Sequence, residues 1–161
     1  VLKLRDVLGL YGVDPILLRE EDISLYSEGA STLREKKRSD LKNRVEAVEA
    51  VEGGTLLSIH QNTYTSSRYS WSHVFYAPTD GSQALAEHFQ TCIKEALQPD
   101  NERAVKQIPD TVYIMNHIAC PAVLIECGFL TNPEEEALLR EEDYQRQLAA
   151  VIAAGWLTAL G

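Results

Sequence analysis

The spacing of apolar residues divides the chain into alternating helical and extended stretches. Val1, Leu4, Leu8 and Tyr11 recur at helical intervals and predict a helix over residues 1–11, with Gly12 as its stop. Residues 13–18 read as a short buried strand with Pro15 near its start, and residues 19–31 as a charged loop. Thr32 and Glu35 have capping-box spacing, and Leu41, Val45, Val48 and Val51 continue one helical stripe that Gly53 and Gly54 end. Residues 55–60 and 74–76 are extended and apolar, separated by a polar and aromatic loop over 63–72. Leu85, Phe89, Cys92, Ile93 and Ala96 predict the next helix, and a polar loop with Arg103 and Lys106 follows over 98–110. Residues 112–115 read as a short strand and residues 121–127 as the most apolar strand of the chain. Asn132 and Pro133 then start a helix, and Tyr144, Leu148, Val151, Ile152 and Gly155 share one face of the last one. Strands that are apolar on both faces and alternate with helices predict an α/β fold, a mainly parallel sheet with helices on both faces and mixed pairing at its edge.

Composition narrows the function. The 161 residues are 45% hydrophobic and 24% charged, as in an ordinary globular domain, and suit a single domain over 1–161. The net charge of −9 disfavours nucleic acid and anionic membrane surfaces, both of which need a basic face. No apolar run reaches the roughly 18 residues of a membrane span. Cys92, Cys120 and Cys127 are an odd number and make no complete disulfide framework. The chain starts at Val1, inside a helical pattern with no capping residue before it, which predicts a missing amino-terminal piece.

Two strand ends carry reactive groups. His60 closes the 55–60 strand in the run Ser58-Ile59-His60-Gln61-Asn62, and Glu126 closes the apolar strand before Cys127-Gly128-Phe129. Strand alternation puts Ser58 with His60 on one face and Ala122, Leu124 and Glu126 on one face. In open α/β sheets ligands bind at the carboxyl ends of strands, so an imidazole that can bind metal and a carboxylate that can move protons are a candidate pair. A histidine closing a strand also serves as an ordinary hydrogen-bonded structural residue, whereas an acid ending so apolar a strand needs a partner or a purpose. Gly128 reads as the residue of a tight turn. His73, His88 and His117 lack metal-ligand spacing and read as surface or loop residues. Alternation turns Cys127 to the opposite face as a buried, inert thiol. Residues 34–44 read as a solvated helix face with Asp40 and Arg44 spaced to pair.

Ser58-Ile59-His60-Gln61-Asn62 resembles the S-I-H-x-N motif of zinc-dependent N-acetylmuramoyl-L-alanine amidases. Residues 126–132, Glu126 through Asn132, resemble their E-x-G-F-L-(S/T)-N motif, about 65 residues further on. Residues 37–44 and 64–76 further resemble the germination-specific, sporulation-associated branch. The resemblance implies an amidase/phosphorylase-hydrolase-like fold and an extracytoplasmic enzyme acting on peptidoglycan glycan and stem peptide. It cuts the amide between the lactyl group of N-acetylmuramic acid and L-alanine. It implies zinc (Zn2+) held by His60 and by two ligands preceding Val1, Glu126 as the proton carrier, and Asn62 as a substrate contact. Leu124 and Phe129 are expected to raise the pKa of Glu126. Two other readings compete: a non-catalytic peptidoglycan-binding module of the same fold, favoured by the single recognisable ligand, and a thiol hydrolase using Cys127.

Overall fold

A computed structural model describes residues 1–159. Helix α1 (Leu2–Leu10) buries Leu4 and Leu8. Helix α2 (Leu33–Glu49) starts at the expected capping box: the Glu35 amide donates to Thr32 Oγ1 and the Thr32 amide donates back to the Glu35 carboxylate. Strands β1 (Leu56–Asn62) and β2 (His73–Tyr76) precede helix α3 (Ser82–Leu97), and β3 (Lys106–Gln107) and β4 (Ala122–Phe129) precede helices α4 (Pro133–Arg140) and α5 (Glu142–Ala159). The sheet order is β1-β4-β2-β3. The outer pairs, β1 with β4 and β2 with β3, run parallel, and the antiparallel contact joins the two central strands, β2 and β4.

Alternation along β4 separates two cores. Val123, Ile125 and Cys127 face α1, α3 and α5, together with Val74, Phe89, Ile93 and Ile152. The α3–α5 crossing depends on Gly155: a Cβ there would lie 2.9 Å from Phe89 Cδ1, so the missing side chain lets Phe89 bury fully. Burying a phenylalanine contributes about 1.5–3 kcal/mol. On the other face Ala122 and Leu124 meet Val48 of α2 and Met115 and Ile118 of the segment before β4, with Val45 and Phe75 packed around them. That face carries the site.

Two expected strands are absent among the described residues. Residues 13–18 are irregular: Pro15 has no amide hydrogen, and no described strand pairs with the segment. Residues 112–115 lead into a 3₁₀ turn over Ile114–Asn116, because Asn116 Nδ2 donates to the carbonyls of Pro109 (3.0 Å) and Val112 (2.8 Å) and closes a loop. Conversely, β3 lies inside the expected 98–110 loop. Its two residues are exposed and give no alternation, yet they pair with Phe75 and Tyr76.

Candidate functional site

Glu126 lies in the carboxyl-terminal half of β4, three residues before its end, between β1 and β2. Its register partner is His60 on the parallel side and His73 on the antiparallel side. Directly paired residues point to the same face of a sheet, so the carboxyl sits between two imidazoles. Just beyond, Asn62 pairs with Phe129: β1 advances two residues while β4 advances three. This bulge falls beside Glu126, where an extra residue re-aims side chains at a strand end.

Glu126 is half-buried, and its Oε2 is fully enclosed without a hydrogen-bond partner among the described residues. Desolvation pushes its pKa up to about 7, as the apolar neighbours lead one to expect. His60 presents an exposed ring at the mouth of the site, yet partial desolvation, and then the charge of Arg44, lower its pKa. Arg44 projects from α2 and is closed by Asp40, Nε to Oδ2 at 2.6 Å, and both side chains are more than four-fifths buried. The expected pair therefore forms, but it belongs to the wall of the site and not to a solvated face. A neutral, exposed imidazole fits one position of a metal centre. Among the described residues no three His, Cys, Asp or Glu side chains gather to hold an ion, so this chain's described part offers one ligand and not a complete set.

His73 corrects the expected surface or loop role. It is 5% exposed, and its Nε2 lies 2.9 Å from the carbonyl of Ala104. A carbonyl only accepts, so Nε2 carries the hydrogen and Nδ1 is bare in the neutral ring. Burial lowers its pKa, and Arg103 and Lys106 lower it further, so the ring beside Glu126 stays uncharged at neutral pH. Its sequence gave no spacing signal: only the antiparallel register brings it to the site.

Gly128 also differs from expectation. It does not have a positive φ and makes no turn. It continues β4, and a Cβ there would lie 3.2 Å from Leu139 Cδ1 and 3.4 Å from Glu135 Oε2. The bare glycine leaves room for Glu135, which α4 carries into the site from the Asn132 cap. Glu135 accepts from the amides of Trp71 (2.6 Å) and Phe129 (2.8 Å), clamping the 63–72 loop to the end of β4. Thr131 Oγ1 accepts from the Tyr64 amide at 3.1 Å, and Trp71 takes a φ of 78°, unusual for a bulky residue. Asn62 Oδ1 accepts from the Thr63 amide at 2.8 Å, and its Nδ2 has no intramolecular partner among the described residues. Cys127 lies in the opposite core, and desolvation pushes its thiol up to about 11. A thiol so rarely ionised is a poor nucleophile, which disfavours a thiol hydrolase.

Comparison with known proteins gives one consistent picture. A family model described as N-acetylmuramoyl-L-alanine amidase matches residues 1–157. The germination-specific N-acetylmuramoyl-L-alanine amidase of Bacillus subtilis is 33% identical over 156 residues, which cover 96% of this chain. The chain spans 65% of that relative's length. The CwlD amidase of Clostridioides difficile, solved in complex with the GerS lipoprotein, superposes with a TM-score of 0.91 at 38% identity, covering 99% of this chain and 81% of that one. The amidase AmiC2 of Nostoc punctiforme gives 0.79 at 26% identity, covering 98% and 78%.

Proposed function

This chain belongs to the N-acetylmuramoyl-L-alanine amidase family, and we propose that it hydrolyses the amide between the lactyl group of N-acetylmuramic acid and L-alanine of peptidoglycan, outside the cytoplasm, in cell-wall or spore-cortex remodelling. The observation that carries the reading is the enclosed, unpartnered carboxyl of Glu126, held near pKa 7 between two uncharged imidazoles. A carboxyl poised there accepts and returns a proton at neutral pH. Glu126 takes the proton of the attacking water and delivers it to the departing L-alanine nitrogen, which leaves as an amine. His60 is one ligand of a zinc ion, with the remaining ligands drawn from outside these 161 residues. When bound, zinc supplies Lewis acidity to the amide carbonyl and acidifies the water. Neutral His60 is ready to ligate without first losing a proton. Asn62 Nδ2 is offered to a substrate carbonyl at the same edge.

The competing reading, a peptidoglycan-binding module without turnover, is favoured by the single metal ligand among the described residues. Purified peptidoglycan and zinc separate the two. The amidase releases new L-alanine amino termini, chelator abolishes the release, and Glu126→Gln lowers it by at least roughly 10²-fold with the fold intact. Binding without release, by a zinc-loaded protein, selects the module.

A further inference from the structure

Beyond Glu126 the same edge of the sheet carries a pocket with an open guanidinium that the proposed hydrolysis leaves unused. Arg103 is half-buried in the loop after α3. Its Nε donates to the Ser70 carbonyl at 2.8 Å, and its guanidinium carbon lies 5.0 Å from the Phe129 ring centroid and 5.8 Å from that of Tyr69. Its own amide donates to Asn101 Oδ1 at 3.0 Å. Asn101 is 1% exposed and donates to the Ser72 carbonyl and to Gln98 Oε1, both at 2.9 Å. The side chain is thus fixed at its base, along its stem and on its flat face. Its two terminal amino groups have no hydrogen-bond partner, and no carboxylate lies within 4.0 Å, among the described residues. Arg44, on the α2 side of the site, is by contrast closed by Asp40. A planar fork held open in this way suits a carboxylate.

Arg103 lines a cavity of about 380 Å³ with Arg68, Tyr69, Trp71, Asp100 and Glu102. Two cations and two acids leave the lining without net charge. A polyanion gains little there, whereas a carboxylate carried beside an ammonium finds a partner for each group. Distance selects where such a group sits on the substrate. Across the bulge β4 uses three residues where β1 uses two, so Phe129 lies about 7 Å beyond Glu126 along the sheet, two residues at roughly 3.3 Å each. An extended peptide covers that span in about two residues, which counted from L-alanine reaches the third residue of the stem. The third residue of a peptidoglycan stem is a diamino acid. In one chemistry type, diaminopimelic acid, its side chain ends in an ammonium and a carboxylate on one carbon, and in the other, lysine, it ends in an ammonium alone.

We propose that this cavity is the subsite for the third residue of the stem peptide, and that Arg103 reads the side-chain carboxylate of diaminopimelic acid; the inference rests on the amidase reading above. The test compares two N-acetylmuramoyl tripeptides that differ only in carrying diaminopimelic acid or lysine, with the full-length, zinc-loaded protein. The diaminopimelate substrate is preferred by at least about tenfold in kcat/KM, chiefly through KM, as one charge-assisted contact implies. Arg103→Gln removes the preference by weakening that substrate alone. If Arg103→Gln does not fold, the wild-type protein still loses the same factor when the side-chain carboxylate of the substrate is amidated. Equal handling of the two tripeptides by the wild-type protein, or an equal loss on both in Arg103→Gln, overturns the subsite. Calorimetric binding of both tripeptides to Glu126→Gln makes the comparison without turnover. Absence of hydrolysis by the wild-type protein therefore sinks the amidase reading alone, and equal binding in the calorimeter sinks the subsite alone.

Discussion

Enclosing a carboxyl without a partner has a cost that depends on pH. Glu126 is held near pKa 7 against an ordinary 4.5, so the folded chain binds its proton more tightly than the unfolded chain does. The stabilising side of that linkage is complete below pH 4.5 and is lost as pH rises through 7. In the zinc-free chain Glu126→Gln, which cannot ionise, is expected to match the wild type near pH 4 and to exceed it by ~1–2 kcal/mol at pH 8.5, a figure reduced for the partly solvated carboxyl. Urea denaturation at the two pH values checks this, and an equal difference at both would mean that burial does not set the carboxyl's titration. Cys127 works the other way. Its thiol is a small apolar filler in the α1–α3–α5 core, so Cys127→Ala should cost ~1 kcal/mol of stability and leave hydrolysis unchanged. Activity lost with the fold retained would revive the thiol hydrolase.

At the scale of elements, Glu135 is the piece that ties the 63–72 loop to β4, and an amide cannot replace its carboxylate. Each oxygen of Glu135 faces an amide donor, so Glu135→Gln sets its NH2 against one of them. The expected result is a loss of about 2 kcal/mol and faster hydrogen exchange at the amides of Trp71 and Phe129. Unchanged exchange at both would show that the loop is held elsewhere. None of this was legible beforehand, although Glu135 stood in plain view of the Asn132 cap, because a capping pattern says nothing about where the glutamate reaches. The placement of His60 beside Glu126 was legible, since alternation fixes the face of each strand, although both strands run on past these residues. His73 was not: a four-residue strand carries too little pattern to give its register, and the register is what makes it a neighbour of Glu126. Residues 13–18 and 112–115 misled for a related reason. A short apolar run states burial but not the partner that a strand requires, and Pro15 and Asn116 turned those runs into irregular chain and a 3₁₀ turn.

For the molecule as a whole, metal affinity is a question of how many ligands one folded unit brings together. Catalytic zinc takes three protein ligands and a water. His60 is one imidazole, Asn62 is a poor zinc ligand whose oxygen is already engaged by Thr63, and the proposed hydrolysis needs Glu126 free to carry a proton. His73 does not make up the count: its ring is 5% exposed, and among the described residues no three metal-ligating side chains gather around it. The 161-residue chain should therefore hold zinc weakly and give it up to a chelator. A protein of the relatives' length that contains this chain should hold one zinc, and His60→Ala within it should lose metal and hydrolysis together. Elemental analysis after dialysis against chelator, on the short chain, the longer protein and the His60→Ala variant, decides the matter. Stoichiometric, chelator-resistant zinc in the short chain would mean that the described residues rearrange into a site of their own. A longer His60→Ala protein that keeps both zinc and activity would remove His60 from the metal centre and leave the geometry around Glu126 to be explained without it.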